Sequence, residues 1–175
     1  MNETKYLPPI VSVVGKSGTG KTTLMVKLIA ELKRRGYRVA TIKHDVHSFD
    51  IDTPAKDSWR HAAAGSDVVF IASPQKLAMV RRLDHEWSID EIASSCVDVD
   101  IVLTEGYKRE DKPKIEVSRV EKGVDLLCDS KELVAIAADQ LFELDVPQFH
   151  LDDAEGLVDL LEGDLLKQLR ASHSP

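Results

Sequence analysis

The sequence predicts an α/β fold of three layers, a mostly parallel sheet with helices on both faces. Three observations predict it. Residues Ile10 to Val14 (IVSVV) are a β-branched run interrupted only by Ser12, the pattern of a strand covered on both sides. A helical stretch and a second strand follow within about 33 residues, and the crossover in such a strand, helix, strand unit requires parallel neighbours. Further apolar runs recur down the chain, DIVLT at 100–104 and LVAIAA at 133–138, separated by polar segments.

After the first strand comes a glycine cluster. From Lys21 the chain reads KTTLMVKLIAELKRRG, with Leu24, Leu28 and Leu32 at helical spacing, basic residues Lys33 to Arg35 in the last turn and Gly36 as the stop. YRVATIK (37–43) is the second strand. Residues 44–57 (HDVHSFDIDTPAKD) are polar and aperiodic, a long loop of the kind usually given over to function or disorder. A short helix over 57–64 ends at Gly65 and leads to the strand DVVFIA (67–72), and KLAMVRRL beyond Pro74 reads as another strand. Ser88-Ile89-Asp90-Glu91 matches the S-x-x-E capping box, which starts a helix running towards Val97. DIVLT ends in Glu105-Gly106. KIEVSRV (114–120) alternates with period two, as a strand with one wet face does. LVAIAA closes at Asp139, and an amphipathic helix occupies the tail from Asp152 to about Leu169.

No repeat, low-complexity tract or linker divides the chain, and 175 residues suit one domain with a sizeable core, so a single domain over 1–175 is expected. No apolar run approaches the 18 residues of a membrane span, and the start MNETKYLPPIVSVVG has no basic segment followed by an apolar one. A cytoplasmic protein without membrane contact is the expectation. Cys96 and Cys128 belong to no C-x-x-C pair and read as buried free thiols. A net charge of −7 argues against general nucleic-acid binding, which needs a basic face. The charge is uneven, however. Residues 1–50 hold nine Lys or Arg against four Asp or Glu, whereas 132–175 hold two against ten.

Three of the nine glycines, Gly15, Gly18 and Gly20, fall within that basic first part and within six residues of one another. Gly15-Lys16-Ser17-Gly18-Thr19-Gly20-Lys21-Thr22 matches G-x-x-x-x-G-K-[ST], a match expected by accident in about 0.4% of chains of this composition. Backbone N–H groups of such a loop wrap a phosphate while the helix behind it presents its positive end. Lys21 would reach the β- and γ-phosphates, Thr22 would ligate Mg²⁺, and Thr23 follows in the first helical turn. A second metal anchor is usually an acid closing a neighbouring hydrophobic strand. Glu105 fits that position.

Two other segments carry chemistry. His44, Asp45, His47, Asp50 and Asp52 crowd the loop after the second strand, at the sheet edge where ligands of α/β folds sit. Asp45 or Asp50 could hold metal-bound water, and with Lys21 they are the candidate catalytic groups; His44 and His47 are candidate substrate contacts. A solvated acidic loop accounts for the same residues. The stretch Gly106 to Lys114 carries four cations, of which Lys108 and Lys114 are the better candidates for a second substrate's phosphate.

Taken in order, GKSGTGKTTL, TIKHDVHSFDIDTPAKDSW, AAAGSD, DIVLTEGYKREDKPKIEVSR and AIAAD resemble the molybdopterin-guanine dinucleotide biosynthesis protein B (MobB) family, over about residues 10–150. The resemblance implies a homodimeric P-loop NTPase-like protein that binds GTP and Mg²⁺, with molybdopterin a further candidate ligand. It would act beside a MobA-type guanylyltransferase, with weak GTP hydrolysis at most. Gly15 to Thr23 match the family's phosphate loop and Glu105 its strand-end acid; Lys43, His44, His47, Asp50, Lys56, Asp57, Gly106, Lys108, Lys114, Glu116 and Arg119 fall on other motif positions. Lys16 stands where dimerising P-loop ATPases carry a lysine that reaches a phosphate across the dimer, although an exposed lysine near phosphate is the favoured reading. The [NT]-K-x-D sequence of GTPases is missing, so guanine preference rests on the resemblance, with Asp139 the candidate acceptor for guanine N–H groups. A small-molecule kinase, using the 44–57 loop and the 106–114 cations as acceptor site and lid, is the alternative, and a scaffold with a structural nucleotide is a third reading.

Overall fold

The computed structural model describes residues 7–44 and 52–166, so Asp45, His47 and Asp50 lie outside the described residues. In chain order the elements are β1 (Ile10–Val14), α1 (Lys21–Arg34), β2 (Val39–Lys43), α2 (Asp57–Ala63), β3 (Val68–Ser73), β4 (Lys76–Arg81), α3 (Ile89–Ala93), β5 (Ile101–Glu105), β6 (Lys114–Ser118), β7 (Leu133–Ala138), β8 (Gln148–His150) and α4 (Ala154–Leu161). Where the sequence reads as one domain over 1–175, the chain divides into two compact units, one formed by the segments before residue 45 and after residue 88, the other by Asp45–Ser88.

The first unit is built on a six-stranded sheet of order β2-β5-β1-β6-β7-β8, every pair parallel. β1 lies inside it, between β5 and β6. One face of the sheet packs on α1 and α4: Val11 and Val13 meet Leu24, Leu28, Leu32, Leu157, Val158 and Leu161 in a single apolar cluster. On the other face Ile10 and Val102 pack with Ile42 and with Ile89 and Ala93 of α3. Burial on both faces is why β1 and most of β5 are continuous apolar runs rather than alternating ones. A fully buried leucine such as Leu28 contributes about 1.5–3 kcal/mol, so the seam of α1 alone holds the helix to the sheet.

The connection from β5 to β6 passes over β1 in only eight residues, 106–113, although parallel neighbours ordinarily need a dozen or more. Register explains the economy. Glu105 stands beside Val13 and Lys114 beside Ser12, so the chain climbs back only one position along β1. The sharp reversal is made by Gly106 and Tyr107, both in the positive-φ region (103° and 56°).

Three elements depart from expectation. β6 has no wet face: all five residues are buried, Lys114 and Glu116 included, because β1 and β7 flank it and both faces are covered. α3 stops at Ala93 instead of running towards Val97; just beyond, the Ser94 and Ser95 hydroxyls donate to the carbonyls of Glu91 and Ile92, a backbone competition that disfavours further helix. α4 covers Ala154–Leu161 and is followed by a π-helical turn, Glu162–Leu166; the last residues of the expected helix, 167–169, lie outside the described residues. β8, three residues long, was too short to show a period.

The second unit joins α2 to an antiparallel hairpin of β3 and β4, with Phe70 opposite Met79 and Ala72 opposite Leu77. DVVFIA and KLAMVR therefore are strands, but of their own two-stranded sheet. Val69 is buried, whereas Phe70, Ile71, Leu77 and Met79 are exposed. The Arg81 guanidinium lies 5.2 Å from the centre of the Trp87 ring, a cation–π contact that ties the end of β4 to the segment after it. Among the described residues no helix is long and apolar enough to cross a membrane.

Candidate phosphate-binding site

β1 delivers the chain to Gly15 at the carboxyl edge of the sheet. A Cβ there would stand 2.4 Å from the Val117 carbonyl oxygen of β6, at a φ of 145°, so only glycine lets the loop leave β1 this close to its neighbour. Gly20, left-handed at φ 99°, turns the chain into α1. That helix has no side-chain N-cap and no acid in its first turn, which leaves its first N–H groups and positive dipole end for an anionic ligand. Thr19 is buried, with its hydroxyl donating to the Lys16 carbonyl at 3.0 Å. Ser17, Thr22 and Thr23 are exposed at the rim.

Lys21 spans the loop. Its Nζ donates to the carbonyls of Gly15 (3.1 Å) and Lys16 (2.9 Å), holding the ammonium across the loop. Thr22 Oγ1 lies 2.9 Å from both carboxylate oxygens of Glu105, 83 positions away in sequence. Parallel pairing of β1 with β5 makes this meeting. A hydroxyl and a carboxylate are hard oxygen donors and suit Mg²⁺, which keeps only a few protein ligands and takes the rest of its shell from water and phosphate. Among the described residues no group of three or more His, Cys, Asp or Glu could hold a metal ion.

On the β5 side, His44 donates its backbone N–H to the Glu105 carbonyl at 3.0 Å, and its ring stacks on Tyr107 with centroids 4.5 Å apart. Lys108 is exposed on the connection beyond. Lys114 is elsewhere. Expected as a surface cation for a second substrate, it is 1% exposed and its ammonium donates to the Glu110 carbonyl and to Glu132 Oε1, both at 2.7 Å. The structure thus gives it a place in the frame under β6. Glu116 is likewise buried, accepting the N–H groups of Leu127 and Cys128. Burial of the Cys128 thiol, with the Glu116 charge beside it, pushes its pKa up to about 11, so it is an inert thiol.

On the β6 side, Arg119 Nε donates to the Thr19 carbonyl at 3.0 Å. Asp139, at the end of β7, accepts the Val120 N–H at 2.9 Å through Oδ1, and its Oδ2 stands 3.9 Å from Arg119 Nη1. It also borders a concavity of about 250 Å³ lined by residues 138–141 and 148–150. Lys122 approaches Gly18: its Cε and Nζ lie 3.3 and 3.5 Å from where a Cβ on Gly18 would be. Sequence reasoning missed Lys122, a lysine in a polar connection with no motif around it.

The family described as molybdopterin guanine dinucleotide synthesis protein B matches residues 10–139, the span from β1 to Asp139. The chain belongs to the MobB family. It is 36% identical to the molybdopterin-guanine dinucleotide biosynthesis adapter protein of Escherichia coli (strain K12), over 94% of this chain and 97% of that one. With the adapter protein of the same description from Haemophilus influenzae it shares 35% identity over 88% of each chain. Among solved structures, Bacillus subtilis MobB superposes with a TM-score of 0.70 at 26% identity, covering 89% of this chain and 99% of that one. The P-loop NTPase-like arrangement around β1 is therefore a MobB fold in sequence and in shape.

Proposed function

We propose that this MobB-family chain is a cytoplasmic adapter of molybdopterin-guanine dinucleotide synthesis that binds Mg²⁺-GTP at residues 15–23 and assists a MobA-type guanylyltransferase as a homodimer. The observation that carries the nucleotide reading is the meeting of Thr22 with Glu105 beside a loop spanned by Lys21. Thr22 and Glu105 would hold Mg²⁺, which supplies charge neutralisation between the phosphates when bound. Gly15 to Gly20 offer backbone N–H groups, and Lys21 leaves its two carbonyl acceptors for phosphate oxygens. Asp45 and Asp50 remain the candidates for activating water, and hydrolysis is weak at most.

The relatives' description, molybdopterin-guanine dinucleotide biosynthesis, supports guanine, with Asp139 beside its concavity as the candidate acceptor. Molybdopterin would use the edge beyond β5, where His44 and Lys108 stand. Homodimerisation is supported by the hairpin: a two-stranded sheet is marginal alone, and one whose face exposes Phe70, Leu77 and Met79 gains from covering them with the same surface of a second copy.

Isothermal titration of GTP, ATP and molybdopterin with Mg²⁺ tests this. GTP binds the wild type, and Lys21→Ala weakens it by about 100-fold, the loss of charge-assisted bonds worth roughly 3 kcal/mol. ATP binding far tighter than GTP, with no pterin binding, overturns the reading; rapid nucleotide consumption with an acceptor alcohol would establish the kinase alternative.

A further inference from the structure

The segment after β6, Arg119 to Gly123, runs along the outer side of the phosphate loop, and the two strands of chain interlock through glycines. Lys122 lies over Gly18, and Lys16 Nζ lies 3.1 Å from where a Cβ on Gly123 would stand. Gly123 itself is left-handed, φ 96°. Arg119 closes the third contact, its guanidinium 3.6 Å from the Cβ position of Gly20 while Nε holds the Thr19 carbonyl. Lys16 and Lys21 of the eight-residue loop are thus joined by Arg119 and Lys122 beside it, in a chain whose net charge is −7. Asp139 stands near Arg119, but among the described residues no carboxylate lies within ion-pair distance of Lys16, Lys21 or Lys122. Lys16, Lys21 and Lys122, gathered with no carboxylate in ion-pair reach, repel one another, and an anion among them removes that cost.

We propose that the Arg119–Gly123 segment is a second wall of the phosphate site, in which Lys122 is a direct ligand of the nucleotide's phosphate chain. Arg119 is a positioning residue that acts through the Thr19 carbonyl, and Asp139 fixes it by holding the Val120 N–H and facing the guanidinium. The ligand class is a linear polyphosphate, free or as a nucleoside triphosphate. The inference rests on nucleotide binding at this loop, and inorganic tripolyphosphate is the probe that separates the two.

Titrate GTP and tripolyphosphate, each with Mg²⁺, into the wild type, Lys122→Met and Lys122→Arg, from 50 to 300 mM salt. Lys122→Met weakens both ligands about tenfold, lowers the slope of log affinity against log salt, and Lys122→Arg restores most of the loss. Equal affinities and equal salt slopes for wild type and Lys122→Met overturn the inference while leaving the proposed function standing. A wild type that binds tripolyphosphate but not GTP sinks the proposed function, and the Lys122→Met arm on tripolyphosphate still decides the wall. For Arg119, Arg119→Met weakens both ligands and Arg119→Lys recovers part of the loss; if neither variant changes affinity, the positioning role falls.

Discussion

β5 and β6 are the two parallel neighbours of β1, and they treat the phosphate loop in opposite ways. β5 brings an acid: Ile101 to Leu103 are buried and apolar, Thr104 bonds Ser12 at 2.9 Å, and Glu105 emerges at the edge to meet Thr22. The segment after β6 brings cations, Arg119 and Lys122, just beyond a strand that buries Lys114 and Glu116. In the proposed site one wall would offer oxygen donors to a metal and the other positive charge to phosphates, and β1 between them sets the loop where the two meet.

The sharpest way to break the arrangement is at the junction itself. Gly15→Val puts a side chain 2.4 Å from the Val117 carbonyl at a φ that valine strongly disfavours, so β1 and β6 separate at the loop's root. Strain of about 3 kcal/mol is read as a loss of stability in urea unfolding and a lower melting temperature, and the displaced loop binds Mg²⁺-GTP more weakly, measured by titration.

Next in size is the frame beneath the cationic wall. Lys114→Ala removes a buried four-carbon stem and the partner of Glu132, and costs about 2–3 kcal/mol of stability. Urea unfolding reads it. Affinity for nucleotide in the folded protein stays within about twofold, well under 1 kcal/mol; a large selective loss of affinity would instead return Lys114 to the binding surface. On the acidic wall the expected effect is smaller and metal-specific. Thr22→Val keeps the shape and loses the hydroxyl between the loop and Glu105, so affinity for GTP falls about tenfold with Mg²⁺ and little with EDTA, the difference being the 1.4 kcal/mol of one lost ligand.

The two walls also differ in how far the sequence revealed them. The β5 side was legible because its signals are local: an apolar run closed by an acid, and a glycine motif at fixed spacing between a strand and a helix. The β6 side was not. KIEVS alternates like a half-wet strand, yet the charges of Lys114 and Glu116 are buried and satisfied by Glu132, by the Glu110 carbonyl and by the N–H groups of Leu127 and Cys128. Partners from a distant connection overrode the local period. Lys122 has no motif at all, since its place over Gly18 follows from the path of the chain after β6. The separate hairpin was hidden for a similar reason, as DVVFIA has the composition of a sheet strand and only pairing decides which sheet it joins.

The smallest expected effect distinguishes the walls by pH. On the β6 side, the hydrogen bond from Lys114, then that from the Asp129 backbone, and the Lys114 charge hold the Glu132 carboxyl below its ordinary range. A carboxyl whose folded pKa is depressed stabilises the fold above its unfolded pKa, about 4.3, and loses that contribution as pH falls through the folded value. Glu132→Gln therefore melts below the wild type at pH 6, and the gap closes as pH drops below about 4. Calorimetric scans at pH 6, 5, 4 and 3.5 measure it. The β5 side offers the contrast, because Thr104 and Ser12 carry no charge: Thr104→Val lowers the melting temperature by the same amount at every pH, as the loss of a neutral hydrogen bond must. A gap that narrows in acid for Thr104→Val, or stays constant for Glu132→Gln, would show that charge does not separate the two walls.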